Sequence, residues 1–412
     1  MSPSLKREWW FMLRDRTLLA WMTVALLLST GATIAGIAEI KFQRAALERL
    51  VEEDVQDRAT QLARQQDWGS AAYYAFHLTY DPPSALAFAA LGERDSSAWK
   101  HRIRMLALEG QIHEADVGNP ELALLGRFDF AFLAAFLLPL LIIIALHDLR
   151  SRERQAGRYE LLISMTDIRL WAARAALRGL ALVACTLGPF LIGATVSGTP
   201  LVKAVSVSVV VTLHGLFWTA LCLAVSSLRR TSAVTLASLV AIWWLLAVLV
   251  PAASRVLIDR AVPVPAGAKI TLLQRETVNA AWDLPKASTM KAFITAYPEW
   301  SDYAEVKLPF EWKWYYAFQE LGDQHAAALS SAHRSGVEKR ERAADLIAWA
   351  SPPARVERTL QRLAGTDMEA HLRYIDRVRQ FHAELRQFHY PMLFRDEPFE
   401  PRRLDDLPVY VP

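Results

Sequence analysis

The stretch from Phe128 to Met165 constrains this chain more than any other. It reads FDFAFLAAFLLPLLIIIALHDLRSRERQAGRYELLISM. From Phe130 to Leu146 it has no charge and a single proline, Pro139. A helix rising about 1.5 Å per residue just crosses a hydrocarbon core of roughly 30 Å over that run. Arg150, Arg152, Arg154 and Arg158 follow at once. A basic cluster at the end of a spanning helix marks the cytoplasmic side. The next apolar run starts near Gly179, so the intervening segment stays in the cytoplasm. Within it Tyr159, Leu161, Leu162 and Met165 alternate with Arg154, Arg158 and Glu160. That pattern predicts a short amphipathic helix at about 151–166, tethered between two spans and suited to docking a soluble partner.

The same signal recurs along the chain. Thr17–Ala38, Gly179–Val196, Ala204–Leu228 and Thr231–Ala253 are further apolar runs, in a sequence that is 53% hydrophobic with 14 tryptophans. The expected fold class is an all-α membrane protein with five spanning helices and a mainly helical extracytoplasmic domain. Arg14 and Arg16 precede the first run as in a signal peptide, but its length and the lack of a small-residue cleavage site argue for a retained anchor. Gly188-Pro189 should bend or break the third span. Before the first span, Leu5–Arg16 reads as an interfacial helix, with Trp9, Met12 and Leu13 on one side and Lys6, Arg7 and Arg14 reaching headgroups. The net charge of +3 is too small to imply nucleic acid, and the basic residues border the spans. Cys185 and Cys222 lie inside apolar runs and read as packing residues.

Four regions follow: 1–40 with the interfacial helix and first span; 41–127; 128–254 with spans two to five; and 255–412. With the N-terminus in the cytoplasm, 41–127 and 255–412 fall on the same outer side and can build one domain together. Ala45–Arg64 continues the first span as a long helix. Tyr80–Ser84 carries Pro82-Pro83 and must be extended or turned. Ile103–Ile112 reads as a short helix. Val337–Trp349, Ala354–Leu363 and Met368–Phe388 read as longer ones, the last capped near Asp367.

Chemistry-bearing motifs are few. The chain has no GxxxxGK[ST] phosphate loop, HExxH, CxxC or Gly-x-Ser-x-Gly elbow. It therefore carries no nucleotide site of that kind, and nothing supports hydrolytic or redox catalysis. His382 and His389, or His325 and His333, are spaced to share a helix face, but no cysteine or close carboxylate completes a metal site. His214 is the one ionisable residue deep in a span, which makes it a functional candidate. The alternative is a neutral histidine bonded to a serine or backbone carbonyl within the bundle.

KREWWFMLRDR before the first span resembles the interfacial helix of type-2 ABC exporter permeases. RSRERQAGRYELLISM resembles their coupling helix, which sits in a groove of a separate ATPase. YYAFHLTYDPPS, NPELALLGRFD and LQRLAGTD are similar to the branch described as multicopper-enzyme-maturation permeases, whose members carry large insertions after spans one and five. The resemblance implies a multi-pass protein of the bacterial inner membrane. Its partners would be two ATPase subunits and a second permease, identical or paralogous, with ATP and Mg on the ATPases and no cofactor on this chain. It places Glu153, Arg154, Gly157, Arg158, Tyr159, Leu161 and Leu162 at the ATPase contact. Arg174 lies nearer the start of span three, and its replacement by alanine is expected to be mild. A mechanotransmission subunit, moving its outer domain without transport, is the alternative. The family has a sixth span that this sequence lacks, and a truncated gene is the preferred explanation.

Overall fold

The computed structural model describes residues 3–113, 128–165, 169–228 and 230–412. Helix α1 is Pro3–Arg14 and α2 is Arg16–Leu62. Asp15 breaks them with an extended backbone and caps α2, its carboxylate accepting from the Leu18 N–H at 3.3 Å. α2 then runs for 47 residues without interruption, so the apolar run does continue as one long helix.

The next elements are α3 (Trp68–Tyr74), strands β1 (His77–Tyr80) and β2 (Lys100–Ile103), and α4 (Leu108–His113). The strands pair antiparallel, His77 opposite Ile103. Helix was expected from Ile103, but that residue ends β2 and α4 starts later. Tyr80–Ser84 leaves the strand without forming helix, as its prolines require.

α5 comprises Phe130–Phe132, a π turn at Leu133–Leu137, and Leu138–Leu146. α6 is Ser151–Gln155, α7 is Tyr159–Met165, α8 is Arg169–Val196 and α9 is Leu201–Ser226. α10 comprises Ser232–Trp244, a second π turn at Leu245–Leu249, and Val250–Ala261. Five helices are long and apolar enough to cross a membrane: α2, α5 with its extension to Gln155, α8, α9 and α10. α5 is the most enclosed of them and α10 the least. Their core gathers Leu138, Ile142, Leu182, Phe190, Val211 and Trp218. Pro189 lies inside α8 without breaking it. In the turn before it, Ser29 of α2 donates to the Thr186 carbonyl at 2.6 Å. Gly36 lets the chain near Phe88 cross α2, because a Cβ there would lie 1.9 Å from the Phe88 carbonyl oxygen.

A second body joins the two polar stretches of sequence. To α3, the hairpin and α4 it adds α11 (Gly267–Ala280), α12 (Lys286–Ala296), α13 (Trp312–Ile347) and α15 (Met368–Phe394). Trp68, Ile103, Phe293, Tyr316, Phe318, Tyr374 and Leu385 share its core. Asp323 of α13 is the junction. It accepts from the Leu108 N–H at 2.7 Å and the Glu109 N–H at 3.0 Å. It also accepts from Gln274 Nε2 at 2.9 Å and Arg386 at 2.6 Å. One carboxylate thus ties α4, α11 and α15 to α13. Between α13 and α15, α14 (Pro352–Ala364) is the exception within this region. Val356, Leu360 and Ala364 pack into the core of the apolar bundle instead. Gly365 ends α14 with a left-handed backbone, and Asp367 caps α15 as expected, accepting from the Ala370 N–H at 3.4 Å.

Candidate functional site

The segment between α5 and α8 is not the single helix expected at about 151–166. It is two short helices, α6 and α7, and residue 166 lies outside the described residues. Gly157 separates them at φ 69°, in the left-handed region where glycine alone is free of a Cβ clash. Arg158 closes the turn by donating Nε to Glu153 at 2.8 Å.

Glu153 also accepts from Arg174 Nη1 at 3.3 Å. Arg174 in turn grips Glu8 of α1 with Nε at 2.7 Å and Nη2 at 3.2 Å. Glu8, Arg174, Glu153 and Arg158 therefore form one ion relay running from α1 through α8 and α6 to the start of α7. Beside it, Asp15 pairs with Arg178 at 3.1 Å and Arg152 at 3.5 Å, and Arg152 reaches Asp148 at 3.2 Å. The Trp171 ring lies beside the relay, with the Arg174 and Arg150 guanidinium carbons 5.3 and 5.6 Å from its centre. Tyr159 meets the same ring at 5.9 Å, and Arg154 lies over Tyr159 at 5.4 Å.

The sequence-expected residues thus separate by role. Glu153 and Arg158 are relay members, Gly157 is the turn, and Arg154 packs on Tyr159. Tyr159 and Leu162 are half-buried against the bundle, whereas Leu161 points outward at 60% exposure. Glu8 and Asp15 were missed, and Arg174 was misjudged: it is central to the relay. On α1, Met12 faces the bundle one turn after buried Glu8, while Trp9 and Leu13 are exposed with Trp10 and Phe11. Of the expected face, Trp9 and Leu13 are left uncovered by the protein and Met12 alone turns to the bundle. A cavity of about 370 Å³ lies between α1 and α7, with Phe11, Met12, Leu161, Leu162 and Leu177 as its apolar wall.

A second polar constellation lies inside the bundle. A π turn displaces carbonyls from the regular helical ladder, and such turns recur at functional sites. Here side chains from neighbouring helices take them up. His214 Nε2 donates to the Ala135 carbonyl at 3.1 Å, and Trp243 Nε1 to the Phe136 carbonyl at 3.0 Å. Ser351, capping α14, donates to the Leu246 carbonyl at 2.6 Å. His214 therefore holds a backbone carbonyl, and α14 is latched to the π turn of α10.

The seam between α14 and α5 carries two carboxyls. Asp129 caps α5, accepting from the Phe132 N–H at 2.8 Å and the Leu91 N–H at 2.9 Å. Burial raises the pKa of Glu357 on α14 and the Asp129 carboxylate raises it further, to about 7, with Arg358 opposing. A carboxyl raised in the folded state stabilises it below its ordinary range, and that contribution is lost as pH rises through the raised value. Between about pH 5 and about pH 7 the α14 seat should therefore weaken by on the order of 2 kcal/mol, with little further change above that. Hydrogen exchange of the Val356–Ala364 amides, corrected for intrinsic rate, should accelerate over that interval and be flat in Glu357→Gln. Equal acceleration in both would assign the effect to another group.

Residues 268–412 match a family described as Domain of unknown function (DUF3526). The match starts one residue into α11 and takes in α12 to α15, so it covers the later part of the second body together with the latched α14. No curated protein and no solved structure matches the chain.

Proposed function

We propose that this chain is the membrane subunit of an ATP-driven ABC exporter in the bacterial inner membrane, coupled to a separate ATPase through α6 and α7. One observation carries the reading. A charged double turn sits between two apolar helices, is held by an ion relay, and offers Leu161 outward, in a chain without a phosphate loop of its own. In this reading α1 lies on the cytoplasmic leaflet, the second body lies outside, and a second permease completes the complex. ATP binding draws two ATPases together, moves the double turns and biases the bundle between two states.

Leu161→Asp is the test. An exposed apolar anchor at the centre of an interface costs about 2 kcal/mol or more when replaced, and a buried unpaired charge adds to that. Co-purification of the ATPase should fall at least about tenfold, measured by quantitative mass spectrometry, with insertion unchanged. Leu162 is unsuitable because it packs against the bundle. Wild-type capture and stimulation of an ATPase by the Leu161→Asp chain would remove the coupling role. A mechanotransmission subunit is the second reading, supported by the large second body with its own core and its latch to the bundle through Ser351. A continuous polar path between two copies in the assembled complex supports export, and a sealed apolar axis supports mechanotransmission.

A further inference from the structure

The second body contains an open groove of about 720 Å³ beside the end of α2. Gln66–Gly69 form one wall, the segment before α13 a second, and the residues that end α15 a third. Its floor is aromatic. Trp68 meets Phe399 edge-on at 4.9 Å, and Phe310 meets Trp312 edge-on at 5.0 Å. Trp312 lies over Gly69, where a Cβ would come within 1.8 Å of the indole.

The loop that forms the rim is fixed. Glu311 accepts from the Lys307 and Leu308 N–H groups at 2.5 and 2.7 Å, and Lys286 donates to the carbonyls of Leu308, at 2.9 Å, and Pro309. Yet this fixed loop holds Leu308 outward at 62% exposure and Phe310 at 41%. Exposed Trp282 continues the apolar surface through Tyr315, whose ring lies 5.9 Å from Trp282 and 6.1 Å from Phe310. A pre-ordered loop that leaves large apolar side chains in water forgoes burial in the free protein and loses little entropy on binding.

Charge completes the pattern. The lining holds six carboxylates (Asp67, Asp302, Glu305, Glu311, Asp396 and Glu397) against three cations. All three cations are paired: Lys307 with Glu305 at 3.6 Å, Lys313 with Glu311 at 3.1 Å, Arg395 with Glu397 at 3.9 Å. Among the described residues, Asp302 and Asp396 take part in no ion pair. We propose that this groove docks a protein partner through a segment that sets basic side chains beside an apolar anchor. The unpaired carboxylates select lysine or arginine. The aromatic floor receives the anchor; the Trp68 ring already has the Arg403 guanidinium 5.9 Å from its centre, so the incoming cation is left to the carboxylates. The apolar surface running past the groove suits a polypeptide, which covers more area than a small cation. The proposal is independent of the exporter reading.

The test uses the full chain in nanodiscs of zwitterionic lipid and three fluorescent peptides of equal length and equal Trp and Leu content. Their charged positions are all Lys, alternating Lys and Glu, or all Glu. The all-Lys peptide should bind at least about tenfold tighter than the all-Glu peptide. The double variant Asp302→Asn with Asp396→Asn should weaken it about tenfold, as should Leu308→Ser with Phe310→Ser. Asparagine tolerates the left-handed backbone at 396, φ 55°, so the first variant keeps the fold. Equal binding of all peptides, or wild-type binding by either variant, would overturn the proposal. Displacement by spermine with no effect of the Leu308/Phe310 variant would make this a small-polycation site and also overturn it. Conversion of a homodimer to monomer by the Asn variant would overturn it in favour of a self-interface.

Discussion

Arg174→Ala is expected to uncouple the α6–α7 turn from the rest of the protein. Among the described residues, the guanidinium is the only group placed on both Glu8 and Glu153, at 2.7 and 3.3 Å. Glu8 is 4% exposed, so removal of the guanidinium leaves a buried carboxylate with no other counter-ion among the described residues. Breaking such a buried pair typically costs about 3–5 kcal/mol. The bundle core does not depend on this contact, so the cost should fall on α1 and on the position of Glu153 and Arg158. Hydrogen exchange should show α1 fraying first. Stimulation of a bound ATPase should drop at least about tenfold under the exporter reading. Arg174→Lys should recover only part of either readout, because an ammonium cannot grip Glu8 with two parallel bonds while reaching Glu153. An Ala variant with intact α1 protection would mean that Glu8 finds another cation and that the relay is not what seats the turn.

Arg386→Ala should have the largest effect on stability. Its guanidinium pairs with Glu320 at 2.5 Å and Asp323 at 2.6 Å inside the second body. Burial raises the pKa of Asp323, with Arg386 the chief opposing influence, followed by the Leu108 and Glu109 N–H groups. Deleting the cation leaves two enclosed carboxylates facing each other, at a cost of about 3–5 kcal/mol. Asp323 holds α4 and α11 to α13, so the loss should propagate to the junction between the two polar stretches of sequence. Thermal unfolding followed by tryptophan fluorescence should show the second body melting earlier, with the apolar bundle unaffected. Arg386→Met, of similar length and uncharged, should be no better than Ala, since the defect is the uncompensated charge. Coincident melting of both bodies at the wild-type temperature would refute this.

The five apolar helices could be read from the sequence because hydrophobic length is a local property. The unbroken α2 followed from helical periodicity on both sides of Glu39, and Asp367 from its place after Gly365-Thr366. What escaped depends on partners distant in sequence. α8 begins ten residues before the apolar run near Gly179 because Glu8 and Asp15 neutralise Arg174 and Arg178. No window containing those arginines shows the compensation. The hairpin was missed because its strands have four residues each, too short for alternation to register, and Thr79 and His101 are fixed by Tyr374 of α15. The amphipathic face of α14 is plain in the sequence, but whether it meets the second body or the bundle is decided by Ser351 and the freed carbonyl of Leu246. The π turns have no signature in so uniform an apolar run. At the double turn, the residue types were legible and their directions were not: adjacent Leu161 and Leu162 could not be told apart until Gly157 set the orientation of α7.

The uninterrupted α2 makes a stiff lever arm. From Glu39 to Leu62 it extends about 36 Å beyond its apolar stretch at 1.5 Å per residue, with no proline, glycine or π turn in that part to absorb a bend. A tilt of about 5° about the Asp15 end, within the scale of ordinary helix shifts, acts over the roughly 70 Å of α2 and therefore displaces the far end by roughly 6 Å. Asp15 is hinge-like at the base, joining α2 to the charged cluster around Arg178 and Arg152. A rearrangement of charge at one end of the molecule can in this way be read as translation at the other, with α2 setting the mechanical gain.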